Sequence, residues 1–406
     1  MAPSTLPVDL ADIEAARDLL KGVIRPTPLE HSRALSEKVG GDVHFKCENL
    51  QRAGSFKIRG AYTRMSRLTD EEKARGVVAA SAGNHAQGVA LAGRLLGISV
   101  TVFMPNGAPL PKVQATRGYG AEVRFHRQTV DHCLTEARRF SEETGAVVIH
   151  PFDHVDVVAG QGTVGLEILE QCPDVRTVVV STGGGGLLAG IATAVKTKRP
   201  EARIIGVQAE TAAAYPGSLD AGHPVPLGKM STMADGIAVG CPGEVPFAIV
   251  RDLVDEIRTV GEEMLSRALL HLLERAKLVV EPAGAAGVAA LLADPKAFEP
   301  PVVAVLSGGN VDPLLMMRVI RHGMASAGRY LQFRVVTTDR PGSLAALLSI
   351  LADTDANVLE VEHSRTGPAL GVNQVEIGLQ LETQGPDHCK QVLHTLSEAG
   401  YQLKLG

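Results

Sequence analysis

Residues 177–195 read "TVVVSTGGGGLLAGIATAV". No residue in the stretch is charged, and its length would let a helix cross a bilayer. The order of its residues argues otherwise. A β-branched run, Thr177 to Thr182, is followed by four consecutive glycines, Gly183 to Gly186, and then by small and apolar residues at helical spacing. Consecutive glycines would make the middle of a membrane helix costly, but they suit a tight turn. The stretch therefore reads as strand, glycine turn and helix, the repeating unit of a parallel α/β sheet.

The same alternation extends to both sides. Short apolar runs predict strands at 43–46, 77–81, 99–104, 122–126, 146–150, 177–182, 203–208 and 301–307. Helical spacing predicts helices at 84–96, 130–143, 160–171, 185–197, 262–275 and 283–292. The fold class is α/β, with open, twisted, mostly parallel sheets and helices on both faces. Ligands of such sheets bind beyond the carboxyl ends of the strands, so the loops after strands are the informative ones.

The pattern changes near residue 325. "HGMASAGR" (322–329) reads as a linker, and the segments after it spell strand, helix, strand, strand, helix, strand, the ferredoxin-like βαββαβ order. In "TTDRPGSL", Pro341 is placed for a helix start and Asp339 for its cap. The expected division is a large first domain over 1–325, with a small subdomain at about 66–150, and a second domain over 328–406.

Composition narrows the function classes. Apolar residues make up 45% and charged residues 21%, and the formal net charge is −5. That balance is globular and offers no basic surface for nucleic acid or an anionic membrane. Five scattered cysteines without CxxC spacing form neither a disulfide framework nor a zinc site, which fits a reducing cytoplasm. The first residues carry no basic segment leading into an apolar run, so no secretory signal is read.

Three loops carry chemistry. In "STGGGGLLAG" (181–190), backbone N–H groups at a helix start can surround a phosphate. The same loop contains G-x-G-x-x-A (Gly184, Gly186, Ala189), with Glu210 some way downstream, so a dinucleotide-binding oxidoreductase is the rival reading. In "SAGNHAQG" (81–88), exposed N–H groups suit a substrate carboxylate, while Asn84 could equally be a helix cap. "SGGN" (307–310) offers Ser307 as a neutral hydrogen-bonding partner, or is a plain turn. Finally, "GSFKIRGA" (54–61) sets Lys57 between Phe56 and Ile58 in what reads as a tight, glycine-bounded turn. Desolvated there, its amine could act as a Schiff-base nucleophile. A dehydrogenase has no use for Lys57 or Ser307, which lowers the rival.

With "SFKIRGA", "SAGNHAQG", "GGGGLLAG", "EPAGA" (281–285) and "SGGN" in this order, residues 10 to 320 closely resemble the fold-type-II pyridoxal-phosphate enzymes, and among them the threonine ammonia-lyases. The tail, with "DRPGSL", resembles a single ACT regulatory domain. The resemblance implies pyridoxal 5′-phosphate as cofactor and deamination of L-threonine, and of L-serine beside it, to a 2-oxo acid and ammonia. It implies that Lys57 carries the cofactor and acts as the base. Asn84 would bond the cofactor's 3′-hydroxyl, Gly183, Gly184, Gly185, Gly186 and Leu187 would hold its phosphate, and Ser307 would face the ring nitrogen. Phe56 and Gly236 would flank the ring. The loop of Ser81, Ala82, Gly83, Asn84 and His85 would take the substrate carboxylate.

Two departures bear on relatives. Serine racemases of this fold place a serine where this chain has Ala82, so a racemase or serine dehydratase is the second reading. Relatives with a divalent-cation site use carboxylates where Gln208, Ala212 and Ala214 stand, so no metal is expected. A catalytically idle amino-acid sensor is a further alternative, disfavoured by Lys57, Asn84 and Ser307 together. The resemblance also implies a homo-oligomer, dimer or tetramer, and an amino-acid effector at the tail.

Overall fold

The structure is a computed structural model that describes residues 6–126, 130–367 and 370–405. Its strands are Leu29–His31 (β1), Val43–Lys46 (β2), Val77–Ala80 (β3), Val100–Met104 (β4), Glu122–Phe125 (β5), Val147–Val148 (β6) and Thr177–Ser181 (β7). Then come Arg203–Ala209 (β8), Glu256–Val260 (β9), Val302–Val305 (β10), Tyr330–Thr338 (β11), Asn357–Ser364 (β12), Gln374–Glu382 (β13) and Gln402–Leu405 (β14). The chain falls into two compact units, Met1–Asp312 and Pro313–Gly406.

The first unit holds two sheets. The larger runs β1-β2-β10-β7-β8-β9 and is parallel except for β1, which pairs antiparallel with β2. The smaller runs β5-β4-β3-β6 and is wholly parallel. β7, β10 and β3 are buried along their whole length. This is why their Val and Ala runs show no polar alternation. The helix Pro282–Ala293 is buried on nearly every side, and its all-apolar "PAGAAGVAALLA" is what such a position demands.

Each sheet has its own core, and the segment around Lys57 joins them. Phe56 packs against the core of the larger sheet, which includes Val178, Leu187 and Val305. Ile58, Ala61 and Met65 belong to the core of the smaller one, with Val77, Val89 and Val102. The lysine between an aromatic and a β-branched residue thus sits on the seam between two hydrophobic clusters. It is not in an isolated turn: Lys57 is the first residue of the helix Lys57–Ser66, which the sequence reading missed because its only long apolar side chains are Ile58 and Met65. That helix packs with the smaller sheet although it precedes residue 66.

Beneath the same helix lies a buried ionic cluster. Arg59 donates to both carboxylate oxygens of Glu48, at 2.8 Å each, and to Glu167 at 2.6 Å. Lys46 reaches the other oxygen of Glu167 at 2.5 Å. Arg59, Glu48 and Lys46 are fully buried, so each charge depends on its partners.

The second unit has the strand order β12-β13-β11-β14, all antiparallel, with helices Ser343–Ala352 and Pro386–Glu398 between the strands. Its core is Phe333, Val335, Leu347, Leu351, Ile377, Leu379, Val392 and Leu396. Two expectations are corrected here. Of the segment read as a linker, residues 322–326 are the end of a continuous helix, Pro313–Ser326, which falls in the second unit, so the division lies before that helix. Its small residues, Gly323 among them, are tolerated because the i to i−4 bonds continue through them, and only the glycine at 328 (φ +64°) ends the run. Asp339 does not cap the next helix either. The cap position is Gly342 (φ +91°), and the Asp339 carboxylate pairs with Arg365 Nε at 2.9 Å.

Candidate active site

The carboxyl ends of β7 and β10 in one sheet and of β3 in the other open onto a cleft of about 740 Å³. Every residue singled out above for cofactor or substrate lines it: Phe56, Lys57, Ser81 to His85, Gly183 to Leu187, Gly236 and Ser307. Residues far apart in sequence meet because parallel strands place all their following loops at the same edge of the sheet.

Lys57 starts its helix with Nζ donating to the Pro151 carbonyl at 2.9 Å. Burial away from water lowers its pKa from 10.5 to about 8, against the opposing pull of the Glu281 carboxylate. The backbone before it is held from behind, since Phe56 N–H donates to the Ser307 carbonyl at 3.2 Å and Ser55 bridges to Gly308. Ser307 itself is buried at the cleft wall.

The glycine run follows β7, and the helix Gly186–Lys198 begins at its end. Gly185 adopts φ +99°, and a Cβ there would meet the Tyr215 hydroxyl at 1.8 Å; at Gly184 it would meet the Phe152 ring at 2.4 Å. Glycine is therefore required by the neighbours as well as by the turn. Tyr215 Oη and Gly243 N–H both donate to the Gly184 carbonyl, fixing the peptide plane. Among the described residues, no N–H from Gly183 to Leu187 has an internal acceptor. Five unsatisfied donors in a row at a helix start form a cradle for an anion of phosphate size, so the chain fits a phosphate-bearing cofactor.

Asn84 is not a cap. It is the first residue of the helix Asn84–Leu96, whose cap position is Gly83. Its amide is fixed at both ends: Nδ2 donates to Glu281 Oε1, and Oδ1 accepts from Asn310 Nδ2 at 2.8 Å. Asn310 Nδ2 also donates to the Ala53 carbonyl at 2.8 Å, tying the loop before Lys57 to the Asn84 loop. Ser81 Oγ accepts from Gly83 N–H at 3.1 Å and shapes the turn. The His85 ring makes a bond of its own. It is buried, its Nε2–H donates to the Ile149 carbonyl at 2.7 Å, and burial with the nearby Lys57 holds its pKa down to about 3.

Glu281 is the polar residue whose role the sequence reading missed, although "EPAGA" contains it. It is 2% exposed, and burial pushes its carboxyl up to about 7 despite Lys112, Asn84 and Lys57 nearby. Asn310, at the end of "SGGN", was likewise unassigned. Phe152 and Tyr215, which shape the glycine cradle, carry no local signal in sequence at all. Gln208, one of the positions weighed for a cation, accepts from Tyr215 N–H at 2.9 Å. No group of three or more His, Cys, Asp or Glu side chains that could hold a metal occurs among the described residues. Nor, among them, is any helix long and apolar enough to cross a membrane.

Comparison with known proteins shows the family. The family described as "Pyridoxal-phosphate dependent enzyme" matches residues 20–308. The chain is 46% identical to an L-threonine ammonia-lyase of Thermotoga maritima over 98% of its own length and 99% of that protein's. Among solved structures it is similar to the T.th. threonine deaminase, with a TM-score of 0.72 and 42% identity over 75% of this chain and 99% of that one. A maize serine racemase matches with a TM-score of 0.74 and 36% identity over 79% of this chain and 99% of that one.

Proposed function

The chain belongs to the pyridoxal-phosphate dependent enzymes, and from that premise we propose that it deaminates L-threonine to 2-oxobutanoate and ammonia, with L-serine as a second substrate. The observation that carries the reading is one cleft holding both an amine depressed to about 8, at Lys57, and a row of free backbone donors at Gly183–Leu187.

In this reading Gly183, Gly184, Gly185, Gly186 and Leu187 hold the cofactor phosphate through N–H groups, and Lys57 anchors the cofactor at the other end. Phe56 and Gly236 would flank the ring, Asn84 would bond its hydroxyl, and Ser307 would face its nitrogen. When bound, pyridoxal phosphate supplies a sink for the electron pair left at the substrate α-carbon. The protein's part is placement and proton handling. The backbone of the Ser81–His85 turn orients the carboxylate, and the Lys57 amine takes the α-proton. Loss of the β-hydroxyl as water, followed by hydrolysis, gives the 2-oxo acid and ammonia. Ser307 carries no charge with which to hold a proton on the ring nitrogen, which favours elimination over transamination.

The fold likeness to a serine racemase does not outweigh the site. Ala82 lines the cleft without a hydroxyl to return a proton to the opposite face of the substrate. The tail in this reading is an ACT-like module that binds a branched-chain amino acid across paired copies in a dimer or tetramer. Its support is the βαββαβ order and a threonine deaminase that matches along 99% of its own length while covering 75% of this chain. The decisive assay is steady-state 2-oxo acid and ammonia formation from L-threonine and L-serine, with and without isoleucine or valine. Absence of product from both substrates sinks the reading.

A further inference from the structure

Two charges meet at the cleft that the reaction above does not use. Lys112, on the helix Leu110–Gly118, donates from Nζ to Asp235 Oδ2 at 2.6 Å; Asp235 opens the turn Asp235–Ile237. Both line the cleft. The pair is lopsided, with the Lys112 side chain 9% exposed and that of Asp235 56% exposed. An exposed carboxylate can turn into water at little cost, whereas a buried ammonium needs an anion beside it.

The surroundings name the anion. Lys112 Nζ lies 3.7 Å from where a Cβ on Gly83 would stand, so the charge sits against the Ser81–His85 turn. In that turn the Gly83 N–H is taken by Ser81 Oγ, but those of Asn84 and His85 have no acceptor among the described residues. The buried Glu281 carboxyl feels the same ammonium. Free N–H donors and a buried cation beside an exchangeable carboxylate make a receptor for a second carboxylate.

We propose that Lys112 is a positioning and specificity residue for the substrate's α-carboxylate, held by Asp235 in the free enzyme and handed to the substrate on binding. The ammonium stays in place while Asp235 is released to solvent. The inference rests on the amino-acid lyase reading above. It predicts that Lys112 and Asp235 act in opposite directions on substrate binding, which a merely structural salt bridge would not do.

The test uses the cofactor-loaded, full-length enzyme and L-threonine. Lys112→Met removes a charge-assisted contact, so KM rises by roughly 10- to 100-fold with a smaller change in kcat. Asp235→Asn removes the competing carboxylate, so KM falls by roughly 2- to 5-fold. An unchanged KM in Lys112→Met, or a loss confined to kcat, overturns the proposal. So does an unchanged or raised KM in Asp235→Asn, which decides the matter alone if Lys112→Met does not fold. A wild type that makes no 2-oxobutanoate overturns the lyase reading, whereas an active wild type with these variants unaltered overturns only the role of Lys112.

Discussion

Burial sets the amine of Lys57 apart from an ordinary lysine. With a pKa near 8 instead of 10.5, about half of it is neutral at pH 8, whereas an exposed lysine would be almost wholly charged there. Only the neutral amine attacks an aldehyde. The rate of cofactor uptake by the cofactor-free protein should therefore rise with pH, reach half its maximum near pH 8 and level off above it, as followed by visible absorbance. Lys57→Ala should lose both that absorbance and 2-oxo acid production while retaining the fold by circular dichroism. Glu281 and His85 make stability depend on pH in opposite senses. The folded protein holds Glu281 protonated up to about pH 7 against an ordinary value of 4.5, so its contribution is full below 4.5 and is lost as pH rises to 7. His85 is held neutral down to about pH 3 against 6.5, so its contribution is full above 6.5 and is lost as pH falls toward 3. Comparing Glu281→Gln with wild type by chemical unfolding isolates the first effect: the wild type should lose ground to the variant between pH 4.5 and 7. A difference independent of pH would mean the carboxyl does not titrate there.

The helix Lys57–Ser66 is the element on which the site depends, and it is fastened by charge beneath and hydrophobic contact on both sides. Arg59 is its buried anchor, shared by Glu48 and Glu167. Removing it strands the fully buried Glu48 carboxylate and takes one of the two cations from Glu167. Arg59→Leu should cost about 3–5 kcal/mol in chemical unfolding, far more than an exposed pair would. The same change should weaken cofactor binding, because Lys57 lies two residues earlier on the same turn. At the glycine cradle, Gly185→Ala asks an L-residue to adopt φ +99° beside the Tyr215 hydroxyl. It should reduce cofactor affinity, measured by equilibrium dialysis, without abolishing the fold. Full affinity in that variant would mean the loop is not the phosphate site.

For the molecule as a whole, every residue that lines the cleft lies within Met1–Asp312, and the second unit carries its own core. A ligand at the tail can change catalysis only if it favours one arrangement of the catalytic units over another. Truncation after Asp312 should therefore leave threonine deamination largely intact and remove any response to isoleucine or valine. A truncated enzyme that still responds would place the effector site in the first unit; a full chain that never responds would leave the tail a structural role.

Much of this was legible along the chain because it is written locally. A β-branched run, a glycine turn and a helical pattern are each short-range signals, and βα order implies a parallel sheet whose loops share one edge. The glycine run, Lys57, Asn84 and Ser307 could therefore be assigned to one site before any contact was known. The short edge strand β1 and β9, "EIRTV", were missed, because both owe their conformation to the neighbours they pair with. So does Lys57–Ser66, a helix of mixed residues, half-read as a turn, that two separate cores hold in place. The linker expected at 322–329 starts too early for a related reason: small residues suggest a break, but an uninterrupted ladder of backbone bonds carries the helix on to Ser326. At the site, residue identity spoke for the residues proposed to meet the cofactor or the substrate. It was silent on Glu281, Asn310, Lys112, Phe152 and Tyr215. Their roles are pairwise, a carboxyl without water, an amide nitrogen bridging two loops, a cation against a turn, an aromatic side chain against a glycine. Burial and proximity of that kind come into being only when distant segments pack together.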